Sequence, residues 1–445
     1  MIEVSQPARL PVCMFTNATV RAGTEEHMLG LMQRLNRDAF AVSLACPPAL
    51  LELLGNDLPS DAEVMPVSIL WPRDCRAMAR FASFLRNRKI QIVHSHGFRS
   101  SVLASPIAFW AGVPAVVETP HIREHWRRGW KSNFAIDRFA GRCVGAYIAV
   151  SDANRRYLIQ KKRLPAEKIH LIRNGCEIEK FAPGYPPQLA LKRQLGFADS
   201  DPVLLLVGRL EPQKGHTVLF AALKDVLRDF PHARLVCVGE GALRPALEAE
   251  LQRLELTASV RFVGYQSKVQ DWLSFADVCV LPSFFEGLPL TAIECLAAGR
   301  AMVATAVDGT PEVVIHEKTG LTVLAGDASG LATAIVRLLR DPGLRTRLGT
   351  AGRSRVEAHF NLARQVRETE ALYCELWRRR TGMPFSGASL EEVRTCTYSV
   401  TRMSKVSSPI FFPDTAFTMK CLDCSSARVH RLLPRLTGRA ASTGE

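Results

Sequence analysis

Strand-type segments alternate with amphipathic helix patterns along most of this chain, in two successive series. The first series runs from VCMFTN (residues 12–17) to HLIRNG (residues 170–175), and the second begins at PVLLLVGRL (residues 202–210). Between them Pro, Gly and polar residues accumulate through CEIEKFAPGYPPQ, which indicates a hinge. Because such alternation is typical of parallel sheets covered by helices on both faces, the sequence predicts an α/β fold with two doubly wound domains and a cleft between them.

The two series set the predicted domain limits. We expect an N-terminal Rossmann-like domain over residues 1–182, a hinge over 183–200 and a C-terminal Rossmann-like domain over 201–359. Residues 360–380 have the period of one long helix, which would close the chain by returning towards the N-terminal domain. The pattern stops there, so 381–445 is predicted to be a poorly ordered or accessory tail. Its Cys421-x-x-Cys424 pair is interpreted as incidental thiols, because no second pair accompanies it.

Positive charge is concentrated in one segment. The chain has 57 lysines and arginines against 43 aspartates and glutamates, a net charge of +14, and residues 123–163 hold much of the excess. Trp126, Trp130 and Phe134 recur every four residues there, which would place them on one face of a helix. This arrangement suits an anionic membrane surface, and a solvated helix with core anchors is the alternative.

The cysteines and the N-terminal residues indicate the cellular compartment. The 12 cysteines lack framework spacing, and the first residues lack the pattern of a signal peptide, so we expect a reduced, cytoplasmic protein. The longest charge-free run, residues 100–117, is interrupted by Pro106, Gly112 and Pro114. It is too broken for a membrane span, so contact with the inner face of the cytoplasmic membrane would be peripheral.

The segment SFFEGLPLTAIECLAAG (residues 283–299) places Glu286 and Glu294 eight positions apart. Gly287 and Pro289 favour a loop before a helix, so Glu286 would lie in the loop and Glu294 in the helix. Even a fully helical segment would separate them by about 12 Å, whereas a glycosidase acid/base pair lies about 5 to 9.5 Å apart. The pair suits two carboxylates that hold hydroxyls at the ends of an extended ligand, with a phosphate at the helix N-terminus between them. A nucleotide sugar has this layout.

Two cations follow the first strand of the second series, in VGRLEPQKGH (residues 207–216). Arg209 directly follows a buried-type strand, and Lys214 precedes a glycine that would open the next helix. Both would lie at the carboxyl edge of the second sheet, where doubly wound folds bind ligands. Two positive charges there would neutralise a diphosphate leaving group, although either pattern alone is also typical of surface residues.

A set of motifs follows one another along the chain. In order they are Gly208-Arg209-Leu210 with Lys214-Gly215, Val238-Gly239-Glu240-Gly241, Phe262-x-Gly264, and Pro282-Ser283-x-x-Glu286-Gly287-x-Pro289 ending in Glu294. Together they resemble the retaining glycosyltransferases of the GT-B fold, glycosyltransferase family 4 (group 1), over roughly residues 10–380. The E-x7-E element with its alanine-rich turn is specific when the other motifs accompany it.

The resemblance implies a role for each candidate residue of the C-terminal, nucleotide-sugar-binding domain. Arg209 and Lys214 would hold the donor diphosphate, Glu286 would contact hydroxyls of the transferred sugar, and Glu294 would hold the ribose hydroxyls. The phosphate and sugar site would be lined by Gly287 and by the amides of Leu288, Leu290 and Thr291. The nucleobase would be bordered by Arg261, Phe262, Val263, Gly264 and Tyr265.

The resemblance also implies residues of the N-terminal, acceptor-side domain and a reaction. Gly23 in RAGTEEH would face the donor phosphates and the acceptor, and His121 in ETPH would reach the reacting sugar. The catalytic set is then Glu286, His121, Arg209 and Lys214. The implied reaction moves a hexose-type sugar from a UDP or GDP donor to a cell-surface glycan or lipid-linked acceptor with retention of configuration. No metal, no cofactor beyond the donor and no nucleic-acid partner are expected.

Three positions depart from the family pattern. Ala22 replaces the first of two usual glycines, Asp308 stands where a glycine is common, and Ala301 replaces a frequent proline. A methyl group at Ala22 would narrow the approach of the backbone to a ligand, which bears on the size of the donor rather than on the reaction.

Other site patterns have ordinary explanations. Asp199-Ser200-Asp201 looks like a metal-binding DxD, but it precedes a strand and is interpreted as a turn. His94-Ser95-His96 would place two imidazoles on one strand face, but no third metal ligand is evident, so a structural or acceptor-side role is favoured. Arg244 occupies the third glycine position of a dinucleotide fingerprint that begins at Gly239.

Two functional alternatives stay open. One is a nucleotide-sugar epimerase of the same fold, which would need no acceptor and would leave the basic, aromatic surface without a purpose. The other is a non-catalytic nucleotide-sugar-binding subunit, against which the intact candidate residues argue. Product formation from a labelled nucleotide sugar, with and without a lipid-linked acceptor, separates the three.

Overall fold

The computed structural model describes residues 8–69, 74–122, 134–181, 185–383 and 385, without the side chains of 98–101. The chain divides into a compact unit over Met1–Arg394, which contains all of these residues, and a second over Thr395–Glu445. The tail beyond residue 385 and the predicted face at Trp126 and Trp130 lie outside the described residues. Phe134, the third residue of that face, packs edge-on against Tyr157 with 6.2 Å between ring centroids.

A seven-stranded sheet forms the first half of the fold. Its strands are β1 (Leu10–Phe15), β2 (Phe40–Cys46), β3 (Glu63–Pro66), β4 (Ile92–His96), β5 (Ala115–Thr119), β6 (Ala146–Ala149) and β7 (Ile169–Leu171). The helices are α1 (Gly23–Arg34), α2 (Pro48–Leu54), α3 (Cys75–Asn87), α4 (Phe98–Trp110), α5 (Ala135–Ala140) and α6 (Asp152–Gln160). All strand pairs are parallel, in the order β3-β2-β1-β4-β5-β6-β7. The order reverses between β1 and β4, so a crevice opens at the carboxyl ends of these strands.

A six-stranded parallel sheet forms the second half. Its strands are β8 (Val203–Val207), β9 (Arg234–Val238), β10 (Val260–Phe262), β11 (Val278–Leu281), β12 (Ala301–Thr305) and β13 (Leu321–Val323). The helices are α7 (Leu189–Gln194), α8 (His216–Asp229), α9 (Arg244–Arg253), α10 (Val269–Leu273), α11 (Leu290–Ala297), α12 (Thr310–Val313), α13 (Ala328–Arg340) and α14 (Pro342–His359). The order is β10-β9-β8-β11-β12-β13, which reverses between β8 and β11.

The strand sequences explain both sheets. VLLLV in β8 and VCVL in β11 are short apolar runs with almost no exposed residue, as expected of strands covered by helices on both faces. Because β8 and β11 are neighbours, the loop that holds Arg209 and Lys214 and the loop that holds Glu286 leave the sheet side by side. The prediction of two doubly wound α/β domains is confirmed.

The last helix, α15 (Leu362–Thr381), packs on the first half. Val366, Tyr373 and Trp377 belong to the same hydrophobic cluster as β1, β2 and β4. The chain passes between the halves twice, and the two passages pair: Cys176 N donates to Phe360 O at 3.0 Å, and Leu362 N donates to Cys176 O at 3.1 Å.

The described part of the predicted hinge, residues 185–200, contains α7. Leu191 and Leu195 pack on a hydrophobic cluster of the second half. None of the helices in the described ranges is long and apolar enough to span a bilayer.

Candidate active site at the facing sheet edges

The loops at the carboxyl edges of the two sheets contact each other. A Cβ atom at Gly287, in the loop after β11, would lie 1.7 Å from the carbonyl oxygen of His121, in the loop after β5. Ser151 Oγ donates to Gly287 O at 3.2 Å, and Asn174 Nδ2 donates to Leu288 O at 3.0 Å. Both donors follow strands of the first sheet, so the predicted residues of the two halves face one another.

A carboxylate of the second half also caps a helix of the first. Both oxygens of Glu312 accept from the N-terminus of α6, from Asp152 N at 3.1 Å and Ala153 N at 2.9 Å. A negative charge at a helix N-terminus satisfies free amides and opposes the positive end of the helix dipole. Arg173 pairs with both Asp152 and Glu312. Sequence reasoning missed this contact, because Glu312 lies 160 residues from the helix that it caps.

Lys214 and Glu286 form a buried ion pair. Lys214 Nζ lies 2.6 Å from Glu286 Oε1, and only 14% and 6% of the two side chains are exposed. Ser283 Oγ donates to the same oxygen at 2.7 Å. Among the described residues no donor reaches the second carboxylate oxygen of Glu286, so that oxygen is free to accept from a ligand hydroxyl.

A glycine fixes the approach of Lys214 to this pair. Gly215 has φ +67°, a left-handed conformation that ends the 3-10 helix Pro212–Lys214, and a Cβ there would lie 2.1 Å from Pro282 O. Only glycine combines this backbone with that close contact. The order Lys-Gly in the sequence is therefore what brings the lysine to the loop that carries Glu286.

Asp308, which departs from the family pattern, holds the same loop. Its φ of 44° lies in the left-handed region that Asp tolerates better than most residues. Its carboxylate accepts a hydrogen bond from Glu286 N at 3.0 Å. The side chain thus adds an anchor for the Glu286 backbone at a position where a glycine would offer none.

Arg209 lies at the same edge and is half-exposed. Its Nη1 pairs with Glu211 Oε1 at 2.6 Å. Across the cleft, Glu25 of α1 is buried, and desolvation raises the pKa of its carboxyl to about 7, although main-chain hydrogen bonds and the charge of Arg209 lower it. Glu25 also accepts from Ala22 N at 3.1 Å, which is half of a capping box. Because Ala22 stands at the N-cap instead of Ser, Thr, Asp or Asn, the sequence carries no capping-box signature that would have found Glu25.

The N-termini of two helices meet between these groups. α11 begins at Leu290, as the sequence predicts, and its N-cap residue Pro289 supplies no side-chain cap. α1 begins at Gly23, where a Cβ would lie 3.9 Å from Leu290 Cδ1. Thr291 lies in the first turn of α11. Because both helices present their positive dipole ends here, the space between them favours an anionic group such as a phosphate.

Glu294 lies one turn further along α11 and is half-buried. Desolvation raises the pKa of its carboxyl to about 8, the charge of Glu26 raises it further, and Lys180 opposes the shift. Burial therefore favours the neutral form of this carboxyl at neutral pH.

This shift predicts a pH-dependent effect of Glu294→Gln on stability. The ordinary pKa is 4.5 and the folded one about 8, so the folded state keeps a proton that the unfolded chain releases. The stability contributed by Glu294 is fully present below about pH 4.5 and is lost as pH rises through about 8. Glutamine cannot ionise, so the melting temperature of the variant should gain on the wild type between pH 5 and pH 8. We expect a gain of at least about 2 °C, the effect of about 1 kcal/mol. Glu25 titrates equally in both proteins, and a pH-independent difference between them would contradict the assignment.

Of the residues predicted to border the nucleobase, Tyr265 reaches the opposite half. Its hydroxyl donates to Glu26 Oε1 at 3.2 Å, and the Arg21 guanidinium lies 5.7 Å from its ring centroid. Gly264 precedes it with φ +74°.

Three other side chains of residues 261–265 contact the second half and do not face the cleft. Arg261 donates to Leu195 O and Val260 O at 3.2 and 2.9 Å, Phe262 packs edge-on against Phe220, and Val263 packs on the core. A ligand at this place would meet the main chain and Tyr265.

His121 belongs to a group of buried histidines. His121 Nε2 lies 3.3 Å from His96 Nδ1, and the ring of His27, from α1, lies 4.7 Å from that of His121. Burial lowers the pKa of His27 to about 4, and those of His96 and His121 well below the ordinary value. All three rings are therefore neutral at neutral pH. One nitrogen from each lies within 4.8 Å of the others, the spacing of a candidate metal cluster.

The Asp199-Ser200-Asp201 pattern is engaged in ion pairs. Asp199 pairs with Arg193, and Asp201 Oδ2 lies 3.0 Å from Arg234 Nε. Lys192 Nζ donates to the carbonyl oxygens of both aspartates at 2.7 Å. These contacts agree with a turn.

Comparisons with known proteins place the chain in a family. A profile for the glycosyl transferases group 1 matches residues 188–355, and one for Glycosyltransferase Family 4 matches residues 21–180. A GDP-mannose-dependent monoacylated alpha-(1-6)-phosphatidylinositol monomannoside mannosyltransferase of Corynebacterium glutamicum is 30% identical over 319 residues, covering 68% of this chain and 81% of the relative. The UDP-Gal:alpha-D-GlcNAc-diphosphoundecaprenol alpha-1,3-galactosyltransferase of Escherichia coli is 27% identical over 311 residues, covering 68% and 80%.

A solved structure has a similar fold. HepE of Anabaena, crystallised in complex with UDP-glucose, superposes with a TM-score of 0.73 at 20% identity, covering 82% of this chain and 99% of HepE. The family is indicated by three observations that agree. They are the two parallel sheets with facing carboxyl edges, the profiles that match both halves, and the relatives. The chain belongs to glycosyltransferase family 4, the group 1 glycosyltransferases, and is a glycosyltransferase of the GT-B fold.

Proposed function

We propose that this glycosyltransferase moves a hexose-type sugar from a UDP or GDP donor to a lipid-linked or cell-surface glycan acceptor, with retention of the anomeric configuration. The observation that carries the proposal is the contact of Gly287 with the His121 carbonyl, since it places the loop that carries Glu286 against the loop that carries His121, from opposite halves. The relatives that use UDP-galactose and GDP-mannose support the donor class, and their lipid-linked acceptors support the acceptor class.

The proposed roles follow the geometry of the site. The donor diphosphate would lie between the N-termini of α1 and α11, next to Gly23, with Arg209 and Lys214 as its counter-charges. Lys214 is held by Glu286 at 2.6 Å, so binding would exchange one carboxylate partner for phosphate oxygens. Glu286 would then be free to hold hydroxyls of the transferred sugar. Glu294 would hold the ribose, and the base would lie against the main chain of residues 261–265 and the ring of Tyr265.

The same proposal includes the organisation of the chain. The acceptor-side domain would cover 1–182 and the donor domain 201–359, with the hinge at 183–200, the returning helix at 360–380 and the tail at 381–445. The donor is a substrate, and no resident cofactor or metal is needed for the transfer, because Lys214, Arg209 and two helix N-termini supply the positive charge.

A thermal-shift screen over nucleotides and nucleotide sugars tests donor binding. A ligand that binds only the folded state raises the melting temperature, by an amount equivalent to about 2.7 kcal/mol at 100 times its Kd. We expect UDP or GDP and one of their sugar conjugates to shift the wild type, with a smaller shift in Lys214→Ala. An equal shift in that variant would contradict the diphosphate assignment.

We also propose that the first half docks on an anionic membrane surface at the inner face of the cytoplasmic membrane. Trp110 at the end of α4 is 74% exposed, and Phe139 on the adjacent helix α5 is 65% exposed. Arg142 lies 5.7 Å from the ring centroid of Phe139, and the other exposed cations of residues 138–163 are Arg138, Arg155, Arg156, Lys161 and Arg163. Exposed aromatic residues among cations suit a lipid head-group layer. Arg127, Arg128 and Lys131 of the same basic segment lie outside the described residues.

Co-sedimentation with anionic liposomes at low salt tests this surface. The Trp110→Ser/Phe139→Ser double variant should lose most of its binding, because it removes the apolar contacts. Leu324→Ser removes an equally exposed residue of the second half, 74% exposed, and should bind as the wild type does. Binding should also weaken as salt rises, since the charge attraction is screened. Binding that the double variant retains in full would contradict the proposal.

A further inference from the structure

Three buried imidazoles meet beside the candidate active site. His27 of α1, His96 at the end of β4 and His121 after β5 are 5%, 1% and 9% exposed. Their ring centroids lie 4.7 Å (His27 to His121), 5.5 Å (His27 to His96) and 5.6 Å (His96 to His121) apart. One nitrogen of each ring lies within 4.8 Å of one nitrogen of the other two.

The closest pair already has the spacing of metal ligands. His96 Nδ1 and His121 Nε2 are 3.3 Å apart, and two nitrogens bound to one tetrahedral zinc ion at about 2.0–2.1 Å lie about 3.4 Å apart. His96 Nε2 is buried and has no hydrogen-bond partner among the described residues. This nitrogen lies on the other side of the ring from Nδ1 and would carry the proton when Nδ1 binds the ion.

The surroundings of His27 favour the same use. Its Nδ1 lies 2.9 Å from Asn174 Oδ1, and Asn174 is oriented by the hydrogen bond from its Nδ2 to Leu288 O at 3.0 Å. Gln365 Nε2 also approaches, at 3.0 Å from Nδ1 and 3.5 Å from Nε2. When Nδ1 carries the proton and donates to Asn174, Nε2 is the acceptor nitrogen, and an ion bound there would replace its 3.5 Å contact with the Gln365 amide. Histidines that bind metals are oriented in this way by a second acceptor.

The neighbouring His94 has a different role. Its Nδ1 bonds Tyr373 OH at 2.6 Å, and its Nε2 bonds Thr119 Oγ1 at 2.7 Å, so both nitrogens are engaged. The histidine pair in the sequence therefore contributes only His96. The other two rings come from positions 27 and 121, which no local pattern connects.

We propose that His27, His96 and His121 bind a divalent transition-metal ion of the Zn²⁺ class, and that the bound ion inhibits transfer by occupying His121. Three neutral imidazoles suit Zn²⁺, and a fourth position would be filled by water or an anion. The binding rests on the cluster alone. The inhibition also rests on the proposed function, in which His121 reaches the reacting sugar.

Titration of the full chain with Co²⁺ as a probe tests the binding. We expect one site, seen as visible d–d absorption without the near-ultraviolet charge-transfer band of thiolate ligands. His27→Gln, His96→Gln and His121→Gln should each raise the Kd by more than about 100-fold. Asn174→Ala, which keeps all three rings, should raise it by about 10- to 100-fold, as loss of a second acceptor does.

Matched variants exclude other metal sites. His316→Gln removes an exposed histidine, and Cys421→Ser/Cys424→Ser removes the paired thiols of the tail, so both should keep the wild-type spectrum and Kd. Circular dichroism checks that each variant is folded. No Co²⁺ absorption in the wild type, a Kd unchanged by the three histidine substitutions, or loss of the signal in the cysteine variant would each overturn the site.

The inhibition is measured separately. Zn²⁺ should inhibit transfer by the wild type, a chelator should reverse this, and His27→Gln should need at least about tenfold more Zn²⁺ relative to its own metal-free rate, in line with the lost ligand. Co²⁺ binding without inhibition would overturn the regulatory part and leave the site intact. A protein that binds Co²⁺ but transfers no sugar would contradict the proposed function instead.

Discussion

Lys214→Ala should reduce kcat/KM for sugar transfer by about 10²- to 10³-fold, the usual effect of removing one group that stabilises charge in a transition state. In this fold Lys214 is the buried cation that lies 2.6 Å from Glu286. Glu286→Gln should reduce transfer by a similar factor, because it removes the carboxylate that faces both the lysine and the proposed sugar. Initial rates with a radiolabelled donor measure both effects.

Two controls separate chemistry from stability. Lys162→Ala removes the cation of another buried ion pair, 2.9 Å from Asp137 with side chains 4% and 7% exposed, outside the candidate site. Breaking either pair should destabilise the fold by about 3–5 kcal/mol, but only Lys214→Ala should lose transfer. The double variant Lys214→Ala/Glu286→Gln should regain stability without regaining activity. Normal turnover by Lys214→Ala would contradict the proposal that Lys214 holds the donor diphosphate.

Gly287→Ala should reduce transfer by about 10²-fold or more. The new Cβ would lie 1.7 Å from His121 O, a contact between main chains that no side-chain rotation relieves, and real Cβ contacts are essentially never shorter than 3.0 Å. The two loops must therefore separate by more than 1 Å at the point where the proposed sugar lies. A misplacement of about 1 Å in a catalytic site costs about 10²-fold.

Gly30→Ala is the matched control for that substitution. It adds the same methyl group to α1, where the nearest atoms are the Leu362 methyls at 3.5 and 3.6 Å, an ordinary contact. Alanine in place of glycine within a helix is stabilising by about 0.5–1 kcal/mol. Transfer by Gly30→Ala should stay normal with a slightly higher melting temperature. Wild-type rates for Gly287→Ala would show that the two loops do not work in contact.

Local sequence patterns were sufficient for the sheets and for the positions of the loop and helix that carry Lys214, Glu286 and Glu294. The apolar runs of β8 and β11 predicted buried strands, and Gly287 and Pro289 predicted the start of α11 near Leu290. The Lys-Gly order in VGRLEPQKGH placed Lys214 at the sheet edge. These predictions held because each depends on residues within one or two turns of chain.

The contacts that the sequence did not reveal join distant positions. His27 meets Asn174 across 147 residues and Gln365 across 338. The role of Asp308 was also missed. In the sequence it is only an aspartate where the family often has a glycine, whereas in the structure its carboxylate accepts a hydrogen bond from the Glu286 amide. Such pairings depend on how two separate sheets approach each other, which periodicity within one sheet does not specify.

The most direct test of the proposed transfer is the anomeric configuration of the product. Purified protein would be incubated with UDP- and GDP-hexoses of α configuration, with and without a lipid-linked saccharide acceptor, and the product analysed by NMR. We expect an acceptor-dependent product whose new linkage is α. An inverted β linkage would contradict the retaining mechanism, conversion of the donor without acceptor would indicate an epimerase, and nucleotide binding without turnover would indicate a non-catalytic subunit.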